Sequence, residues 1–583
     1  MKHKNRNGGA RRARNSTRRS GTIVPFASHR ARRSAVGGHS RSSDPQPAIG
    51  RTRIQAFMLV VAVAGVLLGA RAAYLSLSES SRYAVASEPG VTRVAQQTFV
   101  KRGDILSADG RKLATSLEAR KIIATPYQIE DPSETARTLH EEIGEPSGLS
   151  AAKIESALRK PDNQGKPGGY SVVATVDPKS AASVMELGLP GIDSTPTAER
   201  VYPDSTLASP VVGHLGDYDE SFGGVEARYD GTLSAGDDVK TTIDVAVQQQ
   251  LENSLSSAMD EFEAKSALGL VMRVDDGSVV ALANSPGYDN ADYSSTDAEL
   301  QRDRVLTDPY EPGSTFKPFT VAAALEEGAV SPDDAFTVPD NILVADRVVN
   351  DSVPHEVETM YPQDILEKSS NVGTIQIAQE LGGEKVDEYS KSFGFGEKTG
   401  IDLWGESAGN SPSFEDWSGS SIGNIPIGQG VSVTPIQLAT AYATLANGGL
   451  TVDPRITETA GTSASGDRVI SEETSGIVRG MLQSVVEKGT GTHAQIPGYT
   501  VAGKTGTSQK VDPATGTYGD EYTASFIGFA PASDPEYVTL IVVDEPQTSI
   551  WGERVAAPAF AEVTEFTLKY FNVRPDKNAS STE

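Results

Sequence analysis

Two regimes of hydrophobic patterning divide the chain. From Ile54 to Ala70 the run IQAFMLVVAVAGVLLGA holds one clearly polar residue, Gln55. A segment without a polar face predicts a membrane-spanning helix rather than a helix lying on a globular core. Its length, about 25 Å at 1.5 Å per residue, is at the short end of a span. The following AAYLSL can lengthen it, and Arg53 and Arg71 can snorkel from its ends. A cleavable signal peptide is the competing reading, because Ala70-Arg71-Ala72 has small residues at a cleavage spacing. The long segment ahead of the run and the run's own length favour an uncleaved anchor.

From about residue 74 to 235, short apolar runs alternate with polar turns, which predicts an elongated α+β segment. The pattern is denser from about 240 to 575. ALGLVMRV and SVVALAN flank Asp275-Asp276-Gly277, a hairpin signal. YVTLIVV, Tyr537 to Val543, predicts another strand. TVAAALEEG and PIQLATAYATLANGG carry helical periodicity and end at Gly. Helices interleaved with hairpin strands predict an α/β or α+β domain with a largely antiparallel sheet. The expected organisation is a basic tail (1–53), an anchor (54–75), a first folded domain (76–238), a second (239–575) and a flexible C-terminus (576–583).

Charge sharpens this division. The 583 residues carry a formal −26, from 52 Lys+Arg and 78 Asp+Glu. Residues 1–53 hold fourteen Lys/Arg and one acid, Asp44, a net of +13, so the remainder carries −39. The tail is rich in Arg, Ser and Gly without apolar periodicity, and is expected to be disordered. A basic block before the anchor predicts a cytoplasmic N-terminus and an exported acidic body. The chain has no Cys, which excludes disulfides, thiol nucleophiles and Cys-ligated metals. Its seven His residues include no HExxH-type spacing, so a His-based metalloenzyme is not expected.

Three short motifs in the denser region carry chemistry. In YEPGSTFKPF, Ser314 and Lys317 stand one helical turn apart on one face, so a hydroxyl lies within reach of an amine. Such a lysine serves as a base only if its pKa is lowered by burial or a nearby cation. In LEKSSNVGTIQIA, Ser369 and Asn371 could relay protons and bind a substrate amide, and an ordinary helix cap is the plainer reading. In YTVAGKTGTSQK, Lys504, Thr505, Gly506 and Thr507 would suit a substrate carboxylate at a strand edge. The same stretch, from Gly498 to Thr505, spells a Walker A pattern. A P-loop needs a helix opening at the Lys-Thr, and the turn-rich GTSQKVDPATGTYGD is not one. Other decoys are the GxSxG string at Ser421, the tripeptide Arg102-Gly103-Asp104, and a second Lys-Thr-Gly at 398–400.

Each motif is common alone; the ordered set SxxK, SxN, KTG is the signature of penicillin-binding proteins and serine β-lactamases. The chain resembles a class B penicillin-binding protein, from the anchor nearly to the C-terminus. KRGDILSADGRKLA from Lys101, RVYPDSTLASPVVGHLG from Arg200 and GGVEARYDGTL from Gly223 resemble landmarks of the pedestal domain, with Gly224 and Glu226 as structural residues. Ser107-Ala108 replaces the usual acidic-basic pair, and Asp303 stands where Asn is expected. PIGQGVSVTPIQLATAYATLANGG resembles the stretch between the second and third motifs. The glycosyltransferase motifs of class A enzymes are missing. The long basic tail resembles FtsI-like division enzymes of actinobacteria.

The resemblance implies an α+β multidomain protein: one transmembrane helix, an elongated α+β pedestal (dimerisation) domain, and a transpeptidase domain with a five-stranded antiparallel sheet between helices. It implies a peptidoglycan D,D-transpeptidase in which Ser314 is acylated by the D-Ala-D-Ala donor and Lys317 is the base, kept partly neutral by burial and by the field of Lys504. Ser369 relays a proton to the leaving group, and backbone N–H groups of Ser314 and Thr507 form the oxyanion hole. Asn371 holds the substrate amide, and Thr505 and Thr507, with Gly506 between them, hold the carboxylate. No cofactor or metal is implied. Implied partners are peptidoglycan stem peptides, an amine acceptor, β-lactams as covalent inhibitors, a glycosyltransferase and divisome membrane proteins, with no nucleic acid. Alternatives are a lateral-wall transpeptidase, a D,D-carboxypeptidase, a β-lactamase and a non-catalytic β-lactam sensor. No recognisable deacylating Glu follows Asn371, which disfavours the β-lactamase.

Overall fold

A computed structural model describes residues 101–577 apart from 162–164, 167, 217–218, 459–465 and 513–514. All of these belong to a unit spanning Gln96–Glu583. The expected tail and the apolar run Ile54–Ala70 lie outside the described residues, among which no helix is long and apolar enough to cross a membrane.

The first part of the unit is built on a long strand. β1 (Ile105–Leu106) turns back into β2 (Lys112–Ala124), which pairs antiparallel with β3 (Ser171–Val176) and β4 (Ile192–Val201). β5 (Val239–Lys240) closes the sheet by pairing parallel with β1. Helices α1 (Pro132–Ser147), α2 (Ala151–Leu158) and α3 (Pro178–Glu186) begin at Asp131, Ser150 and Asp177, whose side chains accept from the first free backbone N–H groups. Leu139, Ile143, Ile154 and Val184 join Ile122 and Val176 in a separate small core.

Three sequence landmarks meet at the root of this part. Glu226, fully buried, accepts from Arg102 and Arg200, each at 2.7 Å. The Arg-Gly-Asp string is therefore structural: Arg102 pairs with Glu226, and a Cβ on Gly103 would sit 2.0 Å from Asp237 O. Ser107 is buried and binds Asp109 and the Arg111 backbone, closing the turn between β1 and β2.

The second part is a five-stranded antiparallel sheet between helical layers. After α4 (Val245–Glu261), the expected hairpin forms as β6 (Ser266–Arg273) and β7 (Val279–Ser285). A smaller hairpin, β8 (Asn341–Val344) and β9 (Arg347–Asn350), projects later. The sheet is completed by β10 (Ala502–Asp512), β11 (Thr517–Ala530) and β12 (Tyr537–Asp544), in the order β10-β11-β12-β6-β7. β12 shows why its sequence reads as unbroken apolar: Val538, Leu540 and Val542 enter one core, and Tyr537, Ile541 and Val543 the other.

One face of the sheet carries α4 and the C-terminal α-helix Ala557–Tyr570. The other carries α5 (Lys317–Glu326), α6 (Asn371–Leu381), α7 (Pro435–Ala446) and α8 (Glu472–Glu487). In α7 eleven of twelve residues are buried, so the helix read from PIQLATAYATLANGG lies in the core. Asp576 binds Thr500 and Ser533, and Lys577 N donates to Gly498 O at 3.1 Å, so the fixed chain extends past the boundary expected at 575.

Candidate active site

Ser314 sits on a 3₁₀ turn, Gly313–Phe316, that runs directly into α5. Three segments fix this turn. Gly313 N donates to Gly428 O at 3.0 Å, Tyr442 OH on α7 donates to Thr315 O at 2.8 Å, and Ser508 Oγ on β10 donates to Glu311 O at 2.6 Å. Gly428 has φ +79°, and a Cβ there would lie 2.1 Å from Gly313 O, so only glycine admits this approach. Gly313, Thr315, Phe316 and Lys317 are buried, while Ser314 stays partly exposed. A hydroxyl is thus presented at the surface of a turn that cannot shift.

Lys317 is fully buried at the first position of α5. Its Nζ donates to Ser369 O at 2.5 Å and Ser369 Oγ at 3.3 Å. Burial pushes its pKa down to about 7, against the opposing pull of the Asp351 carboxylate. Lys504 is also fully buried, and burial together with the Lys317 charge holds it well below the usual lysine range. Burial is the largest cause at Lys317 and the Asp351 carboxylate opposes it, while the repulsion between the two buried ammonium groups disfavours charging both at once.

Ser369 holds φ +57°, uncommon for a side-chain-bearing residue, which turns its carbonyl and hydroxyl toward Lys317. Ser370 then caps α6 by accepting from Gly373 N at 2.9 Å, so the plain reading of this motif as a helix cap also holds. Asn371 opens the helix and its Nδ2 donates to Asn350 O at 2.8 Å. Two residues that sequence reasoning did not single out organise this turn. Asp351, at the end of β9, accepts from Ser370 Oγ (2.7 Å), Asn371 N (2.5 Å) and Val372 N (3.0 Å). His355 Nε2 lies 3.0 Å from the same carboxylate. Nothing in NDSVPHE marks them, because the groups that Asp351 binds lie some twenty residues on and His355 meets the turn through Asp351.

The third motif lies on β10, the edge strand, with Thr505 opposite Phe526 and Thr507 opposite Ala524. Lys504 Nζ reaches Thr505 Oγ1 at 3.3 Å, and Thr505 Oγ1 bonds Thr490 Oγ1 at 3.1 Å. A Cβ on Gly506 would meet Ser525 Oγ at 2.3 Å and Thr315 Cγ2 at 3.0 Å, which puts the strand tightly beside the Ser314 turn. Thr507 Oγ1 accepts from Gly552 N at 3.2 Å, leaving its own proton available to donate. Lys504 is in mid-strand and opens no helix, so the phosphate-loop reading fails. The second Lys-Thr-Gly is a loop tied to Glu406 by Thr399 and Gly400, and Ser421 begins a 3₁₀ turn with no strand before it. Asp303 caps the turn Arg304–Thr307, and burial pushes its carboxyl up to about 7. Among the described residues no His/Asp/Glu cluster could hold a metal.

Lys317 thus bonds Ser369 and repels Lys504, and the strand that carries Lys504 packs at Gly506 against Thr315, the neighbour of the partly exposed Ser314. A family model described as the penicillin binding protein transpeptidase domain matches residues 267–565, and one for the penicillin-binding protein dimerisation domain matches 97–259. The chain belongs to the penicillin-binding protein family. Penicillin-binding protein PbpB of Mycolicibacterium smegmatis is 33% identical over 553 residues, 82% of this chain and 84% of that protein. The peptidoglycan D,D-transpeptidase FtsI of Escherichia coli is 31% identical, over 82% of this chain and 85% of that protein. The crystal structure of penicillin-binding protein 3 from Mycobacterium tuberculosis complexed with aztreonam superposes with a TM-score of 0.66 at 28% identity, covering 82% of this chain and 98% of that one. Glu226 and its two arginines thus lie within the dimerisation domain, and all three motifs within the transpeptidase domain.

Proposed function

We propose that this penicillin-binding protein is a peptidoglycan D,D-transpeptidase that works through an acyl-enzyme on Ser314. The observation that carries the reading is a fully buried Lys317 with its pKa lowered to about 7, one turn from a partly exposed serine and hydrogen-bonded to Ser369. Ser314 Oγ attacks the carbonyl between the two terminal D-alanines while Lys317 takes its proton. Ser369, bonded to Lys317, passes a proton to the nitrogen of the departing D-alanine as the C–N bond breaks. Backbone N–H groups of Ser314 and Thr507 stabilise the oxyanion. The amine of a second stem peptide then attacks the ester, forms the cross-link amide and restores Ser314.

The substrate-binding roles follow from free hydrogen-bonding capacity. Asn371 uses one amide N–H on Asn350 O, which leaves the second for the stem-peptide backbone. Thr507 keeps a hydroxyl proton for the substrate carboxylate; Thr505, on the same side of the edge strand, gives its proton to Thr490 Oγ1 and turns it to the carboxylate when substrate binds, and Gly506 keeps the strand close to the Ser314 turn. β-Lactams acylate the same serine. The apolar run at 54–70 and the basic residues ahead of it support a single-pass anchor with the catalytic domain outside the cytoplasm. The similarity to PbpB and FtsI supports peptidoglycan cross-linking in cell division.

A donor ending in D-Ala-D-Ala, supplied with and without an amine acceptor, tests the reaction. Release of D-alanine with formation of the amide product is expected. Release that is fast and yields only the hydrolysed acid, whatever the acceptor concentration, would instead make this a D,D-carboxypeptidase.

A further inference from the structure

The carboxylate of Asp351 is saturated with donors. Oδ1 accepts from Asn371 N and Val372 N, while Oδ2 accepts from Ser370 Oγ and lies 3.0 Å from His355 Nε2. Two of these donors are the first backbone N–H groups of the eleven-residue helix α6, where a negative charge is favoured. The same turn holds Ser369 at φ +57°, with its carbonyl and hydroxyl on Lys317 Nζ. Asp351 therefore grips one side of the turn while Lys317 grips the other, and its charge acts on the Lys317 ammonium.

We propose that Asp351, clamped by His355, is a positioning residue that fixes the Ser369–Asn371 turn against Lys317 and sets how readily Lys317 loses its proton. His355 is itself enclosed by acids. Besides Asp351, its Nδ1 lies 3.4 Å from Glu358, which also pairs with Lys368, and bonds the Glu356 carbonyl; its backbone N–H donates to Asp340. The bond to Asp351 leads the causes that raise the His355 pKa. A protonated His355 partly neutralises Asp351, and a neutral one leaves the full negative charge facing Lys317. The two residues thus act on Lys317 in opposite directions, while Lys504 on β10, the cation that also faces Lys317, is the same in both variants. Removing the Asp351 charge lets Lys317 deprotonate at lower pH; removing the His355 charge makes it hold its proton to higher pH.

This rests on the reading of Lys317 as the base. The test is the second-order rate of acylation by a fluorescent penicillin across about pH 5 to 9 for wild type, Asp351→Asn, His355→Gln and Lys317→Met, with thermal midpoints in parallel. Asp351→Asn is nearly isosteric and keeps acceptor capacity for the helix N–H groups. Expected is an acidic limb near pH 7 in wild type, moved acid by about 1 unit in Asp351→Asn and moved alkaline in His355→Gln. A purely structural role would change the midpoints and the rate ceiling but not the limb. A wild-type limb that stays in place in both variants, or moves the same way in both, overturns this inference alone. A wild type without an acidic limb, or a Lys317→Met that acylates normally, overturns the base assignment and this inference with it.

Discussion

At the scale of single residues, function rests on an amine that the fold keeps from being an ordinary lysine. Lys317 has a folded pKa near 7 against 10.5 in the unfolded chain. Between those values the unfolded state binds more protons, so this residue makes stability rise with pH across that window. Lys317→Met is expected to abolish penicillin acylation and to flatten the rise of the urea midpoint from about pH 7 to 10. An unchanged slope would show that Lys317 is charged in the folded protein. The reacting groups were legible in sequence because their geometry is local: three residues of helix in SxxK, a cap in SxN, an edge strand in KTG. Asp351 and His355 were not, because a hairpin brings them to the turn from outside any motif. Nor was it legible that a carboxylate, Asp351, opposes the effect of burial on Lys317.

At the scale of elements, the site depends on how closely the Ser314 turn, β10 and the short helix Gly552–Val555 approach. A Cβ on Gly552 would lie 2.3 Å from Ser525 O and 2.4 Å from Gly506 O, both backbone atoms that no side-chain rotation can move. Gly552→Ala is expected to cost about 1–3 kcal/mol and to slow acylation by prying this helix from the edge strand. Thermal unfolding together with the acylation rate checks it, and wild-type values for both would mean the helix is not coupled to the site. The strands β6, β7 and β12 were readable from apolar runs and one Asp-Asp-Gly turn. The helices α5 and α7 were readable as helices, and their nearly unbroken apolar sequence matches their burial in the core.

At the scale of the whole molecule, the described chain is a transpeptidase core continuous with the root of the dimerisation domain, and a far lobe with a core of its own. Ile105, Leu113 and Val211 share one cluster with Leu268, Phe316 and Leu540, whereas Ile122, Leu139 and Val184 form another. Glu226 stands at the root and bridges two nearly buried arginines, of which Arg102 also pairs with Asp230. Glu226→Ala leaves Arg200 without its carboxylate and Arg102 with Asp230 alone, and is expected to cost about 3–5 kcal/mol in a urea melt, while Ser314 still labels below the transition. Loss of labelling in the folded variant would tie the root directly to the active site.

The central claim is that Ser314 alone carries the acyl group. The most direct measurement is mass mapping of the protein after reaction with a penicillin. A single adduct of the drug's mass on the peptide containing Ser314, absent in Ser314→Ala, is the predicted result. An adduct on any other peptide, or an equal one in Ser314→Ala, would contradict it.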